Sequence, residues 1–481
     1  MLSWYYKQQQ ILLTAIFLLY CSIAIVYNNY FLLSLPFLLL LFSVTANFLI
    51  TKTEIIFWLM IFMLPLSTEL EVTATLSLDF PDEPLLILLA GFFILKIIRQ
   101  PNYFPKSIIR QPLFLLLLLH VLWISIACIY STNLTISLKY LAAKIWYIIP
   151  FAILPFIILS TEKRIKQFAL LLSLPMMLVV LQSFVRHSFY NFSFEGIKKT
   201  LSPFFRNHVN YSGMLVCMFP IVWSMFKLTP KNNFKRKLLL SVIVVLFIAL
   251  LLSYSRGAWA ALVVGVFSGI IIHYKKIKIT LVLILFFFCI SLTWLFWNNN
   301  YLKFAPEYNT TIFHTDFSKH LEATVTLKDV SNAERFYRWV AAFNMIKTNP
   351  VVGFGPNCFY DNYKNYTESI FKTWVSNNKD HSSVHNYFLL IGLEQGLIGM
   401  LLFVILFFVM LIKLQSLYHS LKNIFYKQIA FATSIILVMI GVLNFLSDLI
   451  ETDKIGSLFW LCLGITFILI KKNKIEKLKI E

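Results

Sequence analysis

The feature that most constrains this chain is the recurrence of apolar runs long enough to cross a hydrocarbon layer roughly 30 Å thick. They repeat from end to end, about fourteen by length and hydropathy, with Ile55–Leu66 and Pro84–Ile98 short enough to be tilted or re-entrant. Lipid offers no partner to a backbone N–H or C=O, so such runs must be helices. At 59% hydrophobic and 13% charged residues over 481 positions the chain lies outside the range of soluble domains. The predicted fold is all-α, a polytopic membrane bundle of about 12–14 helices with one large, partly helical outer loop. The expected division is 1–297, an N-terminal bundle; 298–384, the large loop; and 385–481, a C-terminal bundle.

The formal net charge of +20 would suggest nucleic acid in a soluble chain, but its placement points to a membrane instead. Basic residues alternate from loop to loop: Lys96, Arg99, Lys106 and Arg110; Lys163, Arg164 and Lys166; Lys231, Lys235, Arg236 and Lys237; Lys275, Lys276 and Lys278; and the tail from Lys471 to Lys479. The loops between them, around Asn28, from Glu69 to Glu83 and from Thr132 to Ser137, are neutral or acidic. The positive-inside rule makes the basic set cytoplasmic, and an even number of spans puts both termini there. Ile11–Tyr27, without a small-residue cleavage site, reads as a retained first helix. Five of six cysteines fall in spans and Cys358 in an outer loop, which excludes a disulfide framework.

This topology sends every polar, motif-bearing segment to the outer side. Asp79, Asp82 and Glu83 are carboxylates that could hold a cation or simply face water, and Lys144 faces a polar cavity or snorkels. In SPFFRNHVNYSGML, Arg206, His208 and Asn210 stand at the membrane boundary, Asn210 as a helix cap or a sugar-binding amide. Arg256, at the tight turn Ser255–Gly257, must face water or a polar partner, and its planar fork suits phosphate oxygens. Ser331 and Glu334 read as a capping box opening a helix that Asn349–Pro350 stops. Arg335, Arg338, Trp339 and Ala342 share one face of it, beside an apolar face of Phe336, Val340 and Phe343. Pro350-Val-Val-Gly353-Phe-Gly355-Pro is a turn whose glycines permit unusual backbone angles. His381 and His385 have the spacing of a metal pair but lack the intervening carboxylate of a zinc protease, so no metal is assigned. His385, beside Asn386, is better suited to be a general base. Glu394 is expected to make a structural hydrogen bond inside the bundle.

The order Asn210, Ser255-Arg256-Gly257-Ala258, Arg335-x-x-x-Trp339, Pro350-x-x-Gly353-x-Gly355, His385-Asn386-x-x-Leu389 and Glu394-x-Gly396-Leu397-Ile398-Gly399 resembles the O-antigen ligase family. That family also holds O-antigen polymerases and protein O-oligosaccharyltransferases. The resemblance runs from about Arg206 to Gly399 and implies a glycosyltransferase-C type enzyme of the bacterial inner membrane, without a cofactor or metal, acting at the periplasmic face. Its donor would be a glycan on undecaprenyl pyrophosphate. Its acceptor would be a lipid A core hydroxyl or, in the other members, a growing glycan or a protein, and transfer would invert the anomeric carbon. By position, Arg256 and Arg335 match the family's pyrophosphate-engaging arginines and His385 its acceptor-activating histidine. Arg338, Asn210, Arg206, His208, Asn386 and Lys144 are added as substrate contacts. A lipid-linked oligosaccharide flippase or transporter is the alternative from another class; such proteins more often carry repeated halves and ionisable residues near the midplane.

Overall fold

The computed structural model describes Tyr20 and residues 53–73, 76–305, 330–373, 376–377 and 382–479. The spans expected before residue 53, apart from Tyr20, and His381 lie outside the described residues. In chain order come α1 (Thr53–Met63), a hairpin of β1 (Thr68–Thr73) and β2 (Leu76–Phe80), α2 (Asp82–Arg99), α3 (Pro112–Ile129), α4 (Leu134–Ile148), α5 (Glu162–Ser188), α6 (Phe194–Thr200) and α7 (His208–Leu228). They are followed by α8 (Phe234–Leu252), α9 (Arg256–His273), α10 (Ile277–Phe296), α11 (Val330–Thr348), α12 (Tyr387–Ser420), α13 (Ile424–Leu446) and α14 (Asp453–Leu478). Among the described residues nine helices are long and apolar enough to cross a membrane. The chain is an all-α polytopic membrane protein, with the hairpin as its one small sheet among the described residues.

Since lipid tails are as apolar as leucine, helices associate here through close packing rather than water exclusion. Small residues on α9 supply that closeness: Cβ atoms added at Gly265 and Gly269 would meet Met439 and Phe431 of α13 at 2.3 and 3.1 Å. The most enclosed helix is α14, whose Ile455, Leu463 and Phe467 are fully buried. By contrast α10 exposes nearly every side chain, as a helix lying against lipid must.

Hydrogen bonds sort the helix termini into two ends. At one, Asn423 donates to Glu162 at 2.9 Å, the Lys422 N–H to Glu476 at 2.7 Å, and His419 Nε2 contacts the Ile272 carbonyl at 2.9 Å. The basic loops sit there. At the other, the Tyr387 N–H donates to the Ser447 carbonyl at 3.0 Å, and Gly257 and Gly213 face Leu446 and Leu449. The starts of α7, α9 and α12 thus gather around the turn from α13 to α14.

Residues 350–356 anchor the same end. Gly396 has φ +71° and ψ +177°, which breaks α12, so the Leu397 N–H donates to the Pro350 carbonyl at 2.7 Å instead of to Leu393. The Leu393 and Glu394 carbonyls are taken up by the Phe354 and Gly355 N–H groups, each at 2.9 Å. The backbone bonds lost by the helix are remade with the loop, as burial requires. Gly353 and Gly355, at φ +71° and +102°, supply the angles expected of them. The Phe354 carbonyl accepts from the Thr132 N–H, and Glu394 accepts from the Phe359 N–H at 3.3 Å, a structural role.

Candidate active site

The large loop folds back through α11. Glu334, expected to cap that helix, faces inward: its carboxylate accepts from Arg338 at 3.1 Å, Ser376 at 2.7 Å and Thr373 at 2.5 Å. Ser331 lies within the helix, so the capping-box expectation does not hold. From the shared face predicted for α11, Arg338 donates to the Ser383 carbonyl and the Trp339 ring N–H to the Val384 carbonyl, both at 3.1 Å. Phe336 stacks on Phe304, and Phe343 meets Phe296 edge-on.

Those two bonds present His385. Its φ is +55°, a left-handed conformation that costs about 1–3 kcal/mol in a non-glycine residue and persists where surroundings over-determine it. The determinants are Ser383 and Val384 on one side and Asn386 on the other, whose side chain accepts from the Phe388 and Leu389 N–H groups at 3.1 Å and caps α12. His385 Nδ1 faces Asp448 Oδ1 at 3.8 Å, longer than a hydrogen bond. Ser383 Oγ donates to the other oxygen of Asp448 and accepts from the His385 N–H at 3.3 Å. Burial first, then the positive charge of Arg338 and Arg335, pushes the imidazole down to about 3, with Glu334 opposing. Burial raises the Asp448 carboxyl, against hydrogen bonds that lower it.

Arg256 opens α9, half-buried, one residue from the Gly257 that faces Leu446, and Leu446 lies two residues before Asp448. Arg256, Arg335, Arg338 and His385 therefore come together around the end of α13. Arg206, His208 and Asn210 stand at the start of α7, beyond the α13–α14 turn. There Asn207, not Asn210, is the cap, accepting from the Val209 and Asn210 N–H groups at 3.0 and 2.9 Å, because it alone has the extended backbone a cap needs. Arg206 lies 3.8 Å from Glu69 of β1. Lys144 is buried in an ion pair with Glu451 at 2.9 Å, which Tyr140 joins at 3.0 Å. Asp79, Asp82 and Glu83 lie on the hairpin and the first turn of α2, and no group of three or more metal-ligating side chains with the geometry to hold an ion occurs among the described residues.

Asp448 and Glu451 escaped sequence reasoning, and Glu334 was read only as a cap. The first two sit in SDLIETD, a short turn between two apolar spans, and carboxylates so placed are the signal that could have drawn attention to them.

Residues 241–404 match the family model described as O-Antigen ligase. Over that segment, about a third of the chain, the protein is similar to the O-antigen ligase family. The matched segment runs from α8 into α12 and holds Arg256, Arg335, Arg338, His385 and Asn386, while Lys144, Arg206, His208, Asn210 and Asp448 lie outside it. No curated protein matches the chain. The match and the nine apolar helices among the described residues agree on a multi-pass membrane protein similar to O-antigen ligases.

Proposed function

We propose that this O-antigen ligase relative transfers a glycan from undecaprenyl pyrophosphate to a hydroxyl of the lipid A core, at the periplasmic face of the inner membrane. The observation that carries the reading is His385, neutral and backed by Asp448, at the helix end where Arg256 and Arg335 also stand. In this scheme the acceptor hydroxyl gives its proton to His385 as its oxygen attacks the anomeric carbon. The bond from that carbon to the pyrophosphate oxygen breaks, its electron pair stays on the phosphate, and configuration inverts. Arg256 and Arg335 neutralise the charge growing on the leaving group, the largest demand of such a step, and Asp448 steadies the imidazolium. Pyrophosphate bound beside the guanidiniums would also offset their effect on His385, so the base would strengthen only once donor is in place. Guanidiniums meet the electrostatic need without a metal. The basic end of the bundle would be cytoplasmic.

The test is lipid-linked and surface glycan from a deletion host complemented with wild type, His385→Ala, Arg256→Ala or Arg335→Ala. Loss of repeats from the lipid A core, with long glycan stranded on undecaprenyl pyrophosphate and each variant present in the membrane, is expected. A core capped by one repeat would make the protein a polymerase, and loss of protein glycosylation alone a protein O-oligosaccharyltransferase. Transfer that survives His385→Ala and Arg256→Ala would remove the site.

A further inference from the structure

The basic loops crowd the end of the bundle opposite the site, but one basic patch stands at the site end. Residues 186–206 hold four cations, Arg186, Lys198, Lys199 and Arg206, against the single carboxylate Glu195. Helix α5 carries the chain there from Glu162 at the basic end, and its 27 residues span roughly 40 Å, enough to cross the hydrocarbon and bring Ser188 to the far interface. Arg206 faces Glu69, whereas Lys198 and Lys199 are exposed.

The patch is built and rigid. His187 Nε2 contacts the Ser193 carbonyl at 2.8 Å, Arg186 donates to the Ser202 carbonyl, and Asn191 and Phe192 both hold φ +50°. Gly196 leaves no room for a side chain, since a Cβ there would lie 2.5 Å from that of Tyr190. This loop presents aromatic rings outward, Phe189 at 79% exposure, Tyr190 at 42% and Phe192 at 38%. Lys199 lies 5.8 Å from the Tyr190 ring and Lys198 5.3 Å from Phe194. Tyr254, two residues before Arg256, donates its hydroxyl to the Phe192 carbonyl at 2.7 Å, which fixes the patch beside the site. Exposed aromatics at a helix end mark the depth of lipid headgroups, and cations held at that depth meet phosphate.

We propose that Arg186, Lys198 and Lys199, framed by Phe189, Tyr190 and Phe192, bind the phosphate of an anionic lipid headgroup next to Arg256. The site is independent of the transfer reading and adds three cations that it does not use. The membrane around it would supply the ligand, and the rings would set its depth while the lysines hold its charge.

The test is photo-crosslinking of the purified full chain in nanodiscs with a phosphatidylglycerol carrying a diazirine at the top of one acyl chain, read as label on peptides from 186–206. Phosphatidylcholine with the same probe is the uncharged reference. At about 1 kcal/mol, or fivefold, per lysine near the surface, Lys198→Gln with Lys199→Gln should cut that label by roughly 25-fold. Lys198→Arg with Lys199→Arg should retain it, as should Lys235→Gln with Lys237→Gln, which removes the same charge at the opposite end. Equal labelling by the two lipids, or an unchanged signal in the glutamine double variant, would overturn the proposal. Displacement by equimolar inorganic pyrophosphate would also overturn it, by assigning the site to free phosphate.

Discussion

At the scale of single residues, His385 combines a left-handed backbone with a ring held neutral by burial and two arginines. Its proton affinity falls from about 6.5 in an unfolded chain to about 3. Between those values the unfolded chain binds the extra proton, so the contribution of this residue to stability is present above about pH 6.5 and lost as pH falls toward 3. For activity, the ring of the free enzyme is already in the base form from pH 5 to 8, and kcat/KM for the donor should show no acid limb near pH 6.5. Replacing Arg338 and Glu334 together by Gln leaves no buried charge unpaired and removes more lowering than raising influence. An acid limb should then move up into the measurable range. A wild-type limb centred near pH 6.5 would contradict this account. The candidates Arg256, Arg335 and His385 were legible because arginine and histidine are rare beside apolar spans and each demands a reason. Asp448 was not, because nothing in the residues around it says that they face a position more than sixty residues earlier in the chain.

At the scale of elements, the interruption of α12 by Gly396 and the loop 350–356 form one unit, each completing the backbone bonds of the other. Gly396→Ala should therefore abolish the folded protein in detergent: its Cβ would meet the Val351 carbonyl oxygen at 1.9 Å, and its φ of +71° adds about 1–3 kcal/mol of backbone strain. Gly91→Ala, with nothing within 4 Å, is the neutral control. Melting followed by size-exclusion fluorescence checks both, and equal melting temperatures would refute the shared unit. The glycines of Gly353-Phe-Gly355 announced a turn, and Gly396 stood in the motif that follows Glu394. Their joining was invisible, because a hydrogen bond between distant backbone groups leaves no side-chain signature. The hairpin is written in the alternation of Thr68-Glu69-Leu70-Glu71, a period of two that a count of apolar spans passes over.

At the scale of the whole molecule, the α13–α14 turn is the hub on which α4, α7, α9 and α12 converge. Lys144 and Glu451 fasten it, with side chains 7% and 23% exposed. Glu451→Ala would leave a lysine buried without its counter-ion and should cost about 3–5 kcal/mol. Lys144→Met with Glu451→Met should restore most of that stability. The activity of the double variant then separates two roles for Lys144. Recovered transfer assigns it to holding the turn, and a stable but inactive double variant assigns it to substrate.

Apolar period and charge alternation alone determined that this is an all-α membrane bundle with its motifs at one end, because lipid and membrane potential act on each segment separately. Which side chains meet at that end was decided only by the tertiary structure. The partnerships of His385 with Asp448, Arg338 with Ser383 and Lys144 with Glu451 join helices whose order around the bundle depends on small-residue packing contacts, and no local pattern encodes that order.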